Sequence, residues 1–294
     1  MTLEQLRIFA AVADKQHVTQ ASRELNLTQS ATSAAIAALE GRYNVKLFDR
    51  VGRGIVLTHT GRAFLAEARA VLGRAHAAEQ VLRDLAGLKM GKLVIAASQT
   101  VANYWLPSRL QSFQAAYPGI SVGVRIANTE RVATDVRESQ ADIGFIEGDI
   151  DDGALSARRI DGDALVIVVG PKHPLARQRK LPADWMANTP WILREPGSGT
   201  LRMFELALKK RGLRLADLNV QLELASNEAI RTAIESGGCA TAISDLVVAK
   251  SLAAGTLVQL EEELARRSFY VLRHKERHIS KAEAALLASM QTAA

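Results

Sequence analysis

The 294 residues contain one cysteine, Cys239. That excludes an internal disulfide and fits a reducing compartment. No stretch approaches the roughly 18 consecutive apolar residues of a membrane-spanning helix. The opening MTLEQLRIFAAVADK carries Glu4 and Asp14 where a secretory leader would carry a basic segment. A cytoplasmic protein with no membrane partner is the expectation. The six histidines lack metal-ligand spacing apart from His274 and His278, which would share a face only on a helix. Cys239, inside GGCATAI, reads as a strand residue rather than a nucleophile, and no Ser-His-Asp set can be assembled by motif. The glycines of REPGSGT are not followed by the lysine of a nucleotide-hydrolysing loop. The chain calls for no catalytic residue, metal or cofactor.

What is present points to a soluble globular chain. With 48% hydrophobic and 23% charged residues, it can bury a core and is long enough for two or three domains. The net charge of +6 is unevenly placed. Residues 1–90 hold 12 Lys/Arg against 8 Asp/Glu, and Arg42, Lys46, Arg50 and Arg53 cluster against Asp49 alone. Such a patch suits an anionic polymer, although a solvated surface would look the same.

Leu3, Leu6, Ala10 and Ala13 recur at helical spacing beside Phe9, which predicts an amphipathic first helix. In VTQASRELNLTQSATSAAIAALE, Thr19 is expected to cap a second helix with Val18, Ala21 and Leu25 inward. Asn26 and Leu27 break it, and Thr28 caps a third. On that third helix Thr32, Ala35, Ile36, Leu39 and Tyr43 should face the core. Gln29, Ser30, Ser33, Ala37 and Glu40 fall on the other side. A narrow face of small and hydrogen-bonding groups is what entry into a DNA major groove requires. An ordinary solvent-facing helix is the plainer alternative. KLFDRVGRGIVLT then predicts a hairpin turning at Gly52 and Gly54, with Arg50 and Arg53 near its tip. Thr58 should cap a long helix to about Leu88. Its Phe64, Ala68, Val71, Ala75, Ala78, Leu82 and Leu85 alternate spacings of 4 and 3, a heptad seam for a partner helix. Packing against its own domain is the alternative.

Together, VTQASRELNLTQSATSAAIAALE, LFDRVGRGIVLTHTGRAFL and the alternating remainder resemble a LysR-type transcriptional regulator. The resemblance spans essentially the whole chain and is most specific over residues 1–65. It implies an N-terminal winged helix-turn-helix (mostly α, 1–58), a linker or dimerisation helix (59–90) and a two-lobed α/β, periplasmic-binding-protein-like effector domain (91–294). Lobe I is expected at about 91–163 and 268–294, and lobe II at about 164–267. It also implies a double-stranded DNA operator forming an interrupted palindrome, a small-molecule effector, and a homodimer or homotetramer. Base and phosphate contacts are expected from Thr28, Gln29, Ser30, Thr32, Ser33, Arg50 and Arg53. One departure is Ala34 and Ala35, which stand where many relatives carry a basic residue.

Beyond a composition break at Gly87–Gly91, short apolar segments alternate with helical ones. KLVIAAS, ISVGVRIA and DIGFIEG are followed by DALVIVVG, PWILR, VQLELA, CATAIS and SFYVLR. This predicts α/β layering on a mostly parallel sheet. Ligands in such sheets sit beyond the carboxyl ends of strands, at helix N-termini. Three stretches qualify: Ser98, Gln99 and Thr100; Glu195 to Thr200 with Ser198, Gly199 and Thr200; and Ser226 to Glu228 with Asn227. Their plainer reading is that Thr200 and Asn227 are helix caps and Gly197 and Gly199 turn residues. SQT, REPGSGT and GFIEG look most like the regulators associated with sulfur metabolism, which implies a sulfur oxyanion or small sulfur-related acid as effector. Glu147 in the same cleft would repel a bare dianion and suit a zwitterion. An enzyme on a binding-protein-like scaffold and a non-regulatory DNA binder are the other readings.

Overall fold

The computed structural model describes residues 1–52, 54–85, 91–178, 180–260 and 264–291. Arg53 and most of the expected Gly87–Gly91 hinge lie outside the described residues. Two compact units result, one from the N-terminal helices and hairpin and one from the remainder.

In the first unit α1 (Leu3–Lys15) opens with a capping box between Thr2 and Gln5. Next comes α2 (Val18–Leu25), which Asn26 ends in the left-handed region at φ 56°. Its cap is His17, without a side-chain bond, because the helix starts two residues earlier than expected; Thr19 is inside it. In α3 (Gln29–Tyr43) the Thr28 hydroxyl accepts from the Ala31 amide at 3.2 Å, as expected. Strands β1 (Phe48–Val51) and β2 (Gly54–Leu57) pair antiparallel around Gly52, whose φ of +59° favours glycine. The carbonyl of Gln16 accepts from the Ile55 amide at 3.3 Å, and Glu40 accepts from the amides of Leu47 and Phe48. These bonds pin the wing to α1 and α3. Thr58 caps α4 (His59–Leu85) through the Gly61 amide. Leu6, Phe9, Leu39, Leu47 and Ala68 form one core, and Ile8, Val12 and Ala21 a second. Burying one such large side chain is worth roughly 1.5–3 kcal/mol. Tyr43, expected inward, is 52% exposed because it sits on the last helical residue, past the reach of the core.

The second unit is built on one nine-stranded sheet. Its first half holds β3 (Gly91–Ser98), α5 (Leu106–Ala116, entered through a π turn at Val101–Trp105), β4 (Ile120–Ala127), α6 (Thr129–Arg137) and β5 (Ile143–Glu147). The 15-residue β6 (Leu155–Val169) crosses to the second half. There lie α7 (Trp185–Asn188), β7 (Pro190–Arg194), α8 (Gly199–Lys210), β8 (Asn219–Leu224), α9 (Asn227–Ser236), β9 (Ala240–Ser244), α10 (Asp245–Ala253) and β10 (Val258–Gln259). The chain returns along β11 (Ala265–His274) to α11 (Lys281–Gln291).

Strand order is β4-β3-β5-β11-β6-β9-β7-β8, with β10 on β6. Each half is parallel where expected: β3 pairs with β4 and β5, and β7 with β8 and β9. The two crossing strands instead pair antiparallel with each other and with β5 and β9. The sheet is therefore mixed rather than mostly parallel, because two lobes sharing two strands require one to run out and one back. DALVIVVG proves to be only the second half of β6, and α10 was not read from the sequence.

Candidate DNA-reading face and ligand cleft

Two packed cores lie on one side of α3; the other side is bare. Gln29, Ser30, Ala31, Ser33, Ala34 and Ala37 are all exposed. Thr28, committed to capping, also bonds Ser30 Oγ at 3.0 Å. Thr32 departs from the expected contact set. It is fully buried and its hydroxyl donates to the Thr28 carbonyl at 3.1 Å, so a base edge cannot reach it. Arg50 is exposed on β1, and Arg42 and Lys46 are exposed nearby. Lys46 is held by Glu40 at 3.4 Å.

The expected seam of α4 divides in two. Phe64 and Ala68 pack into the unit's own core, the alternative reading of that stripe. Val71 is exposed, Ala75 half-buried, Ala78 exposed and Leu82 68% exposed. The side chain of Leu85 lies outside the described residues. Arg69, buried, pairs with Asp14 and fastens α4 to α1.

The polar residues expected at the cleft converge. Ser98 and Thr100, Glu147, Ser198 and Thr200, and Asn227 come from four separate segments, and all are buried. Neither Thr200 nor Asn227 is a cap: Ser198 and Ser226 occupy those positions, so the plainer reading fails for both. For Gly197 it holds, since φ is +84°. Gly199 is small for another reason. A Cβ there would lie 2.4 Å from the Glu147 carbonyl and 2.7 Å from Thr129 Oγ1, so the lobes close on a bare backbone.

Arginines organise the cluster. Arg267 on β11 is buried, its Nε and Nη2 bonded to Asp163 at 2.5 and 2.7 Å. Its Nη1 donates to Thr200 Oγ1 at 2.9 Å and its Nη2 to Thr100 Oγ1 at 3.4 Å. Glu147 Oε1 is 3.9 Å from Nη1. Arg194 on β7, also buried, grips Glu195 and donates to Asn227 Oδ1 at 2.7 Å. Asn227 Nδ2 in turn donates to Thr100 Oγ1 at 3.2 Å. Gln99 spans the lobes: its Oε1 accepts from the Asn227 amide at 2.9 Å, and its Nε2 donates to the Ala225 carbonyl. Tyr104 and Asn103 reach across to Glu228, and burial with that carboxylate pushes the Tyr104 phenol up to about 12.

Ser98 Oγ donates to Glu147. Burial pushes the Glu147 carboxyl above its usual range, against the opposing pull of Arg267, Ser98 and Arg194. Members of the cluster line two cavities. One, of about 650 Å³, is bounded by Asp161, Asp163, Asp245 and Arg267. The other, of about 540 Å³, is bounded by Thr129, Glu130, Ser198, Gly199 and Arg202. Among the described residues no group of His, Cys, Asp and Glu could hold a metal ion. No helix among them is long and apolar enough to cross a membrane.

Sequence reasoning missed Asp163, Arg194 and Arg267. One signal was available. Arg267, Phe269 and Val271 alternate on the buried side of β11, so a charge sits where an apolar side chain belongs.

Comparison with known proteins bears on both sites. Residues 3–62 match the model of bacterial regulatory helix-turn-helix proteins of the lysR family, and residues 86–294 match the LysR substrate binding domain. The chain is 36% identical over 284 residues to the uncharacterized HTH-type transcriptional regulator YeiE of Escherichia coli K12, covering 96% of this chain and 94% of the relative. It is 31% identical over 281 residues to the HTH-type transcriptional activator CmpR of Synechocystis, covering 95% and 91%. Among solved structures, full-length CbnR complexed with its target DNA superposes over 100% of both chains, at 18% identity and a TM-score of 0.68. The regulatory domain of Synechocystis CcmR in complex with 2-PG covers 69% of this chain and 97% of that one, at 26% identity and a TM-score of 0.62. The chain belongs to the LysR family of DNA-binding transcriptional regulators, joining a helix-turn-helix domain to a small-molecule-binding domain.

Proposed function

We propose that α3 enters the major groove with Gln29, Ser30 and Ser33 at base edges, while Arg50 and the wing meet phosphates or the minor groove. Gln pairs bidentately with adenine and Ser serves several bases. Arg53, although outside the described residues, is retained as a wing contact. The supporting observation is the unbroken small-residue face from Gln29 to Ala37. The exposed Val71 and Leu82 support pairing of α4 with a second copy, which would set two reading heads on an interrupted palindrome. A tetramer through the lobes is the larger assembly. The regulator works on a double-stranded DNA operator in the cytoplasm and needs no membrane partner.

The cleft holds a small acid. Ser98, Gln99, Thr100, Glu147, Ser198, Gly199, Thr200 and Asn227 form its wall, and the buried cations Arg194 and Arg267 favour an anion over a neutral metabolite. A sulfur oxyanion is the first candidate. The 2-PG complex of the CcmR domain supports the wider class of small acids. The cleft binds its ligand without transforming it. In support, burial pushes the only thiol, Cys239, above its ordinary range, away from nucleophilic use.

The two functions couple through closure, since a ligand held by both lobes binds the closed cleft better than the open one. A coupling of about 1–3 kcal/mol would change operator affinity or bending by roughly 5- to 150-fold. Operator titrations with and without sulfate or thiosulfate test this, using the parent, Thr100→Ala, Thr200→Ala, and Val71→Asp with Leu82→Asp. The threonine variants should bind DNA but ignore the anion. The seam variant should appear as smaller species in light scattering and bind DNA more weakly. An anion response unchanged in both threonine variants would displace the site.

A further inference from the structure

Hydrogen bonding in the cleft has a direction. Arginine can only donate, so Asn227 must turn Oδ1 toward Arg194 and Nδ2 toward Thr100. Thr100 Oγ1 thus accepts from both Asn227 Nδ2 and Arg267 Nη2, which engages both of its lone pairs. Thr200 Oγ1 accepts from Arg267 Nη1. Neither threonine proton has an acceptor among the described residues, and Ser198 Oγ, buried, has no partner there at all. Two relays enforce this polarity. One runs from Asp163 through Arg267 to both threonines, and the other from Glu195 through Arg194 and Asn227 to Thr100.

Acceptors in the same space are already engaged. Asp163 takes Arg267 and Ser244, each at 2.5 Å, and Glu147 takes the Ser98 hydroxyl. The second Glu147 oxygen lies 3.9 Å from Arg267, on a carboxyl that burial drives toward its protonated, donating form. A ligand group entering here meets protons on several sides. An acceptor satisfies them; an ammonium opposes them.

We infer that Arg267 and Asn227 are positioning residues that hold Thr100 as an obligate hydrogen-bond donor, while Arg267 also takes one lone pair of Thr200. The cleft thereby selects a small oxyanion whose buried atoms only accept, and rejects an amino-acid-like zwitterion. This rests on the reading of Thr100 and Thr200 as ligand-binding hydroxyls, and it removes the zwitterion left open by Glu147. An isosteric change isolates the effect. Asn227→Asp keeps the pairing with Arg194 but turns the Thr100 partner from donor to acceptor, so the threonine proton is drawn inward. Its added charge acts whether or not the hydroxyl is present, whereas the polarity effect needs the hydroxyl.

Calorimetry on the full chain, with sulfate, ethanesulfonate and taurine as probes, separates the two. Ethanesulfonate and taurine share a sulfonate and differ by an ammonium. In the parent, ethanesulfonate should bind about tenfold or more tightly than taurine. Asn227→Asp should weaken sulfate by about tenfold or more beside Thr100, and by less than about threefold in a Thr100→Val background. Equal losses in the two backgrounds, or taurine binding as well as ethanesulfonate, would overturn the inference while leaving the site in place. Sulfate affinity unchanged in both Thr100→Val and Thr200→Val would instead overturn the site. Failure of the parent to bind sulfate or ethanesulfonate at millimolar concentration would overturn the oxyanion class. The taurine comparison uses the unaltered chain, so it stands even if a variant fails to fold.

Discussion

The face of α3 and the wall of the cleft are both polar, and they are polar in opposite ways. On α3 the hydrogen-bonding groups of Gln29, Ser30 and Ser33 are exposed. Water satisfies them until a partner arrives, and the fold does not depend on them. In the cleft the polar groups are buried, and several close on ion pairs whose removal strands a charge. On the proposed assignment, stability and recognition are separable on α3 and fused in the cleft, and substitutions at the two places should behave differently.

The largest effect is expected at Arg267. Arg267→Met leaves Asp163 buried with only Ser244, and breaking a buried pair costs about 3–5 kcal/mol. Scanning calorimetry should show the effector unit melting well below its parent value while the helix-turn-helix unit is unmoved. Adding Asp163→Asn should recover most of the loss. If Arg267→Met alone melts like the parent, the ion pair does not organise the cleft.

Gly199→Ala sharpens the comparison sterically. The added methyl meets the Glu147 carbonyl and Thr129 Oγ1, and overpacking of this kind costs about 1–3 kcal/mol. The cost falls on the closed arrangement, so X-ray scattering of the variant should show a more open effector unit, with the operator still bound. A scattering profile identical to the parent's would mean that the lobes do not close on that backbone.

Glu283 tests burial with weak compensation. It sits in the first turn of α11, its nearest cation Arg273 at 3.8 Å, and burial raises its carboxyl to about 7. The folded value lies above the ordinary 4.5, so the native state holds the proton more tightly. Its contribution is intact below about pH 4.5 and is lost as pH rises through about 7. Denaturation of the parent should show a decline of about 1–3 kcal/mol across that window attributable to this group. Glu283→Gln, which keeps acceptor and donor groups for Ser280, should flatten that decline. An unchanged pH profile would place the titration elsewhere.

The smallest effect on stability is expected on α3. Ser33→Arg and Gln29→Ala should shift the melting of the helix-turn-helix unit by no more than about 0.5 kcal/mol, as exposed substitutions usually do. Both should nevertheless change which DNA is bound.

The same contrast explains what could be read from the sequence. α3 is a local object: its cap Thr28, its inward Leu39 and its bare Ser30 and Ser33 lie within a dozen residues, so helical periodicity finds them together. The wing and the Thr58 cap were legible for the same reason. Tyr43 was misassigned by the same rule at its margin. Periodicity ignores where the core ends; it placed Thr32 inward, correctly, and the resemblance added it to the base contacts. The cleft is a non-local object. Strand ends announce Ser98, Thr100, Ser198 and Asn227 one by one, because ligands favour those positions in parallel sheets. No local pattern announces that Asp163 and Arg267, 104 residues apart, face each other, because that follows from the register of β6 against β11. The antiparallel crossing strands were missed for the same reason, since alternation of strands and helices carries no information on pairing across the lobes.

The central claim is that recognition of DNA and of ligand lies on separable residue sets, α3 for one and the arginine-lined cleft for the other. Sequencing the DNA that the chain selects from a random pool tests it most directly, with the parent, Ser33→Arg, and Thr100→Val with Thr200→Val run in parallel. The account predicts one palindromic motif for the parent, the same motif for the threonine variant, and an altered or lost motif for Ser33→Arg. An unchanged motif for Ser33→Arg, or a changed one for the threonine variant, would contradict it.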